Sequence, residues 1–76
     1  MILRSNENEL YVIGTIWDGD GMYFVSELNR LEKQYTDIVI KMHLYGGSVF
    51  DGNLMCNAIE SSLSDISIDI IGLAAS

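Results

Sequence analysis

The sequence predicts an α/β fold in which a parallel sheet alternates with helices in the order β-α-β-α-β. Three observations predict it. Short β-branched apolar runs begin near residues 10, 37 and 66, as strands do. The stretches between them repeat apolar residues at helical intervals. Glycine-rich punctuation falls where one type of pattern gives way to the other. Helix-bearing connections of this length join parallel strands, by right-handed crossovers.

The first strand is expected over residues 10–16 (LYVIGTI), followed by the turn signal Asp18-Gly19-Asp20-Gly21. Residues 22–34 form an amphipathic helix on the pattern Phe24, Val25, Leu28, Leu31, continued by Tyr35. Glu27, Arg30, Glu32 and Lys33 stand between those positions. Residues 37–42 (DIVIKM) make a second strand, apolar nearly throughout, as in parallel strands covered on both faces. Residues 43–48 are a loop. A second helix runs over residues 49–63, with Val49, Phe50, Leu54, Ala58, Ile59 and Leu63 on its inner side. Residues 66–71 (ISIDII) are the third strand, broken by Gly72.

In an open α/β sheet the loop leaving a third strand should lead into another covering helix, and Ala-Ala is a good helix start. Residues 72–76 (GLAAS) bring no such helix. The expectation is one module that is the front part of a larger fold, or that needs a partner to complete it.

Composition narrows the function classes. The chain of 76 residues is 49% hydrophobic and has no proline, which describes a globular module and not a disordered one. Eleven acidic residues against four basic ones give a formal net charge of −7. That argues against non-specific nucleic-acid binding, which needs lysines and arginines for the phosphates, and against docking on anionic membranes. Cys56 is the one cysteine. It excludes an internal disulfide and a cysteine-based zinc site, and its helical setting predicts a small buried hydrophobe. The opening MILRSNENE has no signal-peptide core, and no apolar run reaches the ~20 residues of a membrane span. A cytoplasmic protein without cofactor or metal is expected.

The stretch Tyr45-Gly46-Gly47-Ser48-Val49-Phe50-Asp51-Gly52 admits three readings. A glycine pair between strand and helix is often a plain turn using positive φ. Neither nucleotide fingerprint, G-x-G-x-x-G after the first strand or G-x-x-x-x-G-K-[ST], is present. The third reading joins two loops: those after the second and third strands open on the same carboxyl edge of a parallel sheet, where α/β sites lie. Gly46 and Gly47 then offer amides that approach a carbonyl closely, facing a serine at a helix start. This is the arrangement of an oxyanion hole beside a nucleophile.

Those residues carry a family resemblance. GGSVFDG at residues 46–52 with GLAAS at residues 72–76 resembles the ClpP-type serine peptidases of the ClpP/crotonase-like group. The likeness is greatest to phage-borne head-maturation (prohead) proteases, and it extends over residues 11–76 as the N-terminal portion of one such domain. The resemblance implies that Ser76 is the nucleophile and that the backbone amide of Gly47, with Gly46 beside it, holds the oxyanion and substrate. It implies that the other oxyanion amide and the catalytic His and Asp follow Ser76 in the chain. The 76 residues alone are therefore expected to be inactive. The resemblance also implies a peptide or protein substrate and a homo-oligomeric ring, with an ATP-dependent unfoldase or phage capsid proteins as candidate partners.

The sequence departs from the family in reading Leu44-Tyr45-Gly46-Gly47 where relatives read S-P-G-G, which leaves the loop freer. His43 is expected as a satisfied loop or strand-end histidine, Ser48 as a helix N-cap, and Asp51 as a charge favouring that same helix's positive end. Trp17 with Asp18 and Asp20 reads as an acidic turn more than a metal loop. Met22, Met42, Met55 and Tyr23 are core or interface material. Two other functions stay open beside the serine endopeptidase: a non-catalytic ring-assembly module, with surface at Phe24, Tyr23 and the last strand, and a crotonase-like acyl-CoA binder.

Overall fold

The computed structural model describes residues 1–71 of the chain; the expected nucleophile, Ser76, and the rest of GLAAS lie outside the described residues. The elements run β1 (Ile2–Asn6), β2 (Glu9–Ile16), α1 (Asp20–Glu32), β3 (Asp37–Gly47), α2 (Val49–Glu60) and β4 (Asp65–Ile70). The fold is α/β, with a mixed sheet of order β1-β2-β3-β4. β2, β3 and β4 are parallel, and β1 is antiparallel to β2.

The β-α-β-α-β core has the expected order, with β1 added before it. β1 joins β2 through a tight turn in which Glu7 takes a φ of 54°, a left-handed conformation unusual for a residue other than glycine. Asn8 fastens the turn to the neighbouring strand: its carbonyl accepts from Val39 N at 3.0 Å and its Nδ2 donates to Asp37 O at 3.1 Å.

Period-two alternation on the strands sends Leu10, Val12, Ile38 and Ile40 into the core, all essentially without solvent contact. Phe24, Leu28 and Leu31 descend from α1 onto them, and Met55 from α2 completes the same cluster. Both helices thus cover one face of the sheet, so the two crossovers share one hand. The opposite face carries Tyr11, Val39, Lys41 and His43, which are half-buried, and Tyr45, which is exposed. Coverage of β3 on both faces, expected from its apolar run, is therefore not what the described residues show. On the open face Lys41 Nζ pairs with Glu9 at 3.2 Å and lies 5.5 Å from the Tyr11 ring centroid. The Glu9 hydrogen bond raises the Lys41 ammonium above its ordinary value.

Four expectations about packing are corrected. Val49 and Phe50 are 77% and 73% exposed, because in the first turn of α2 the inward position belongs to Asp51. Leu63 lies beyond the end of α2 and is 96% exposed; there the chain is tied to α1 by Glu32, whose Oε2 accepts from Leu63 N at 3.1 Å. Cys56 points outward and is exposed. Phe24, expected to offer interaction surface, is instead fully buried.

Candidate functional site

The carboxyl ends of β2 and β3 form one rim of the sheet, and β4 runs in the same direction but is paired only as far as Met42. β3 is longer than the sequence suggests: residues 43–47, read as loop, continue the strand to Gly47. The ladder with β2 holds register from Glu9↔Val39 to Gly14↔Leu44 and then slips, so that Ile16 faces Gly47. Two residues on β2 there oppose three on β3, which is a bulge. Gly46 and Gly47 absorb it with φ of 106° and 126°.

Gly47 has a packing reason to lack a side chain. A Cβ there would lie 2.1 Å from Ile16 O and 2.8 Å from Ile16 N. The same Ile16 carbonyl accepts from Ser48 N at 2.8 Å, so the rim is clamped to β2 immediately after the glycines.

α2 begins at that clamp. Ser48 is its N-cap, with extended backbone, and its Oγ accepts from Asp51 N at 3.2 Å. Ser48 Oγ in turn donates to Asp51 Oδ2 at 2.7 Å. The serine is thus committed to the helix start, as its type and place predict.

Asp51 does more than the sequence suggests. Its Oδ1 accepts from Gly19 N at 3.1 Å and from Gly21 N at 2.9 Å, both at the start of α1. α1 has glycine at its N-cap and no side-chain cap of its own; Asp51, reaching over from α2, supplies the missing acceptor. One buried carboxylate therefore serves two helix N-termini, whose partial positive charges favour it. The hydrogen bond from Ser48, with those from the Gly21 and Gly19 amides, lowers the Asp51 carboxyl below the usual aspartate value. The backbones meet so closely that a Cβ on Gly21 would lie 2.8 Å from Asp51 O. The sequence hides this, because Asp18 and Asp20 stand at that helix start as ordinary cap candidates, whereas the N-cap position falls on Gly19.

Two depressions flank the rim. A crevice of about 430 Å³ lies between Ile16, Trp17, Asp18, Gly47 and Ser48. A more apolar groove of about 500 Å³ lies between β3 and α2, where Met42, Leu44, Met55 and Ile59 line it. Opposite Ile40 and Met42, β4 carries Ile68 and Ile70 about half exposed (49% and 51%).

Of the residues expected at a site, Gly46 and Gly47 stand on this rim. β4 runs parallel to β3 up to the pair Met42↔Ile70, and Ile71 N donates to Met42 O at 2.9 Å. The described part of β4 therefore ends beside Met42, in the middle of β3 and five residues short of Gly47. His43, the single histidine, is in β3, with its Nε2 2.9 Å from the Tyr45 hydroxyl and the two rings edge to face. Asp20 accepts from Trp17 N at 2.8 Å and pairs with the Met1 amino group at 3.2 Å. No helix among the described residues is long and apolar enough to cross a membrane.

No protein-family model matches the chain, and none of the curated proteins shows significant similarity to it.

Proposed function

We propose that the chain is the nucleophile-bearing part of a serine-type endopeptidase of ClpP/crotonase-like fold, with Ser76 as nucleophile and the Gly47 amide as an oxyanion donor. One observation carries the reading: β3 and β4 are parallel and adjacent, so both strands run toward the edge that bears Gly46 and Gly47, with Ile71 N bonded to Met42 O. Five residues of chain span at most about 18 Å, and the extension of β3 from Met42 to Gly47 covers about 16 Å at strand rise. The hydroxyl of Ser76 is within reach of the rim on that arithmetic. The glycine at position 47 does not itself argue for chemistry, since Ile16 already requires it.

Ser76 Oγ attacks the carbonyl carbon of a bound peptide, and the oxygen that becomes negative accepts from the Gly47 amide. One such donor is worth about 2.7–4 kcal/mol of barrier. A serine without a base is a weak nucleophile. His43 does not supply one, being engaged with Tyr45 four residues before Gly47 on β3. The base and its orienting acid belong to sequence following Ser76, as the GGSVFDG and GLAAS motifs imply by their resemblance to ClpP-type peptidases.

A fluorophosphonate probe tests this. The 76 residues alone stay unlabelled at rates typical of serine hydrolases, whereas the chain expressed with the reading frame that follows Ser76 is labelled, and Ser76→Ala abolishes labelling. A longer product that ignores the probe contradicts the assignment.

A second reading, a non-catalytic assembly module, is favoured by apolar residues left in solvent at the start of α2, Val49 and Phe50, and along β4, Ile68 and Ile70. Exposed apolar surface of this kind marks interaction sites where it gathers into a patch. Light scattering that finds a well-behaved monomer at high concentration counts against it.

A further inference from the structure

Trp17 and Asp18 form one wall of the crevice beside Gly47, and the backbone of the turn that carries them, residues 17–20, is pinned from both sides. Trp17 N donates to Asp20 Oδ2 at 2.8 Å, Asp20 N to Trp17 O at 3.1 Å, and Gly19 N to Asp51 Oδ1 at 3.1 Å. The two side chains displayed by this rigid turn are uncommitted. Trp17 is 65% exposed. Asp18 is exposed too, and its carboxylate makes no hydrogen bond or ion pair among the described residues. Its acidic neighbours are engaged, Asp20 with the Trp17 amide and the Met1 amino group, and Asp51 with Ser48 and two glycine amides.

An indole face attracts a cation, and a carboxylate pairs with one most strongly when the donor is a planar guanidinium. Among the described residues no cation pairs with Asp18, and the nearby Met1 amino group is held by Asp20. Arg30 is paired with Glu27 and Lys41 with Glu9, and none of the basic residues lines the crevice. The formal net charge of −7 adds long-range attraction for a positive ligand. A pre-set turn also avoids the ordering cost that a mobile loop would bring to binding.

We propose that the Trp17–Asp18 wall binds a cationic side chain, arginine in preference, of a peptide lying along the glycine rim. The identification of the ligand as a peptide rests on the peptidase reading, but the binding involves no catalytic step.

The test uses short blocked peptides identical except at one position, which carries arginine, its neutral isostere citrulline, or norleucine. Trp17 is the one tryptophan, so its fluorescence reports binding. The arginine peptide should bind about tenfold tighter than the citrulline peptide, the combined effect of one cation–π contact and one solvent-exposed charge pair. Asp18→Asn should shrink that preference while retaining the Trp17 response. The readout is binding alone and does not use the fluorophosphonate probe, which separates this site from the fate of the nucleophile assignment. Both Asp18 and Trp17 are exposed, so far-UV circular dichroism should match the parent. Equal affinity for arginine and citrulline peptides, a preference that survives Asp18→Asn, or no binding of any of the three would overturn the proposal.

Discussion

Replacing Gly47 by alanine should destabilise the protein well beyond what the same change does at Gly14. Both glycines hold positive φ, 126° and 103°, so an alanine at either site bears a backbone cost of about 1–3 kcal/mol. That shared cost cancels in the comparison. At Gly14 the nearest atom to an added Cβ is Met1 Cα at 3.9 Å, an ordinary contact, whereas at Gly47 it is Ile16 O at 2.1 Å. Ile16 is backbone and cannot swing aside. Moving it breaks the 2.8 Å bond from Ser48 N, worth about 0.5–1.5 kcal/mol, and disturbs the cap of α2. Gly47→Ala should therefore cost at least about 1 kcal/mol more than Gly14→Ala, out of a total of roughly 4–11 kcal/mol for a chain this size. Urea unfolding with linear extrapolation measures the difference, provided the slope stays constant. Equal midpoints for the two variants would refute the claim that the rim is clamped by close backbone approach.

Other consequences follow from the same contacts. Ser48→Ala should cost about 1 kcal/mol, the usual loss for an N-cap serine, read in the same urea titration. Asp51 has a folded value below its unfolded value near ~3.9, so its stabilisation is complete above that pH and is lost as pH falls through the folded value. Asp51→Asn should accordingly flatten the acid limb of a melting-temperature profile below about pH 4, and an unchanged limb would remove Asp51 from its role as shared cap. Phe24→Ala should cost about 3–5 kcal/mol by cavity formation in the centre of the core, enough to leave the fold marginal by circular dichroism.

The alternation of strand and helix was legible because burial writes it in the sequence: Leu10 and Val12, Ile38 and Ile40, and the Phe24–Leu28–Leu31 stripe all face one core. β1 escaped notice because ILRSN is an edge strand with little of it buried, joined by a turn at Glu7 without the usual Asn-Gly signal. Residues 43–47 read as loop in the sequence because paired glycines look like a turn, whereas in the fold they carry a bulge in a continuing strand. Inward and outward faces of α2 were misjudged at Val49 and Phe50, since hydrophobicity alone did not show that Asp51 would be the buried residue. The reach of Asp51 to Gly19 and Gly21 depends on a contact across thirty residues of sequence, which no local pattern contains.

The central claim, that Ser76 and the Gly47 amide share one rim, is open to a direct distance test with Trp17, which lines the crevice beside Gly47. A contact-range quencher is attached at Ser76→Cys after the exposed Cys56 is replaced by serine, and at Asn6→Cys as control. Asn6 pairs with Glu9 at the far end of β2, about 23 Å from Ile16 along the strand. The account predicts that the label at position 76 extinguishes most of the Trp17 emission while the label at position 6 leaves it intact. Equal emission from the two labelled proteins would place Ser76 away from the rim and contradict it.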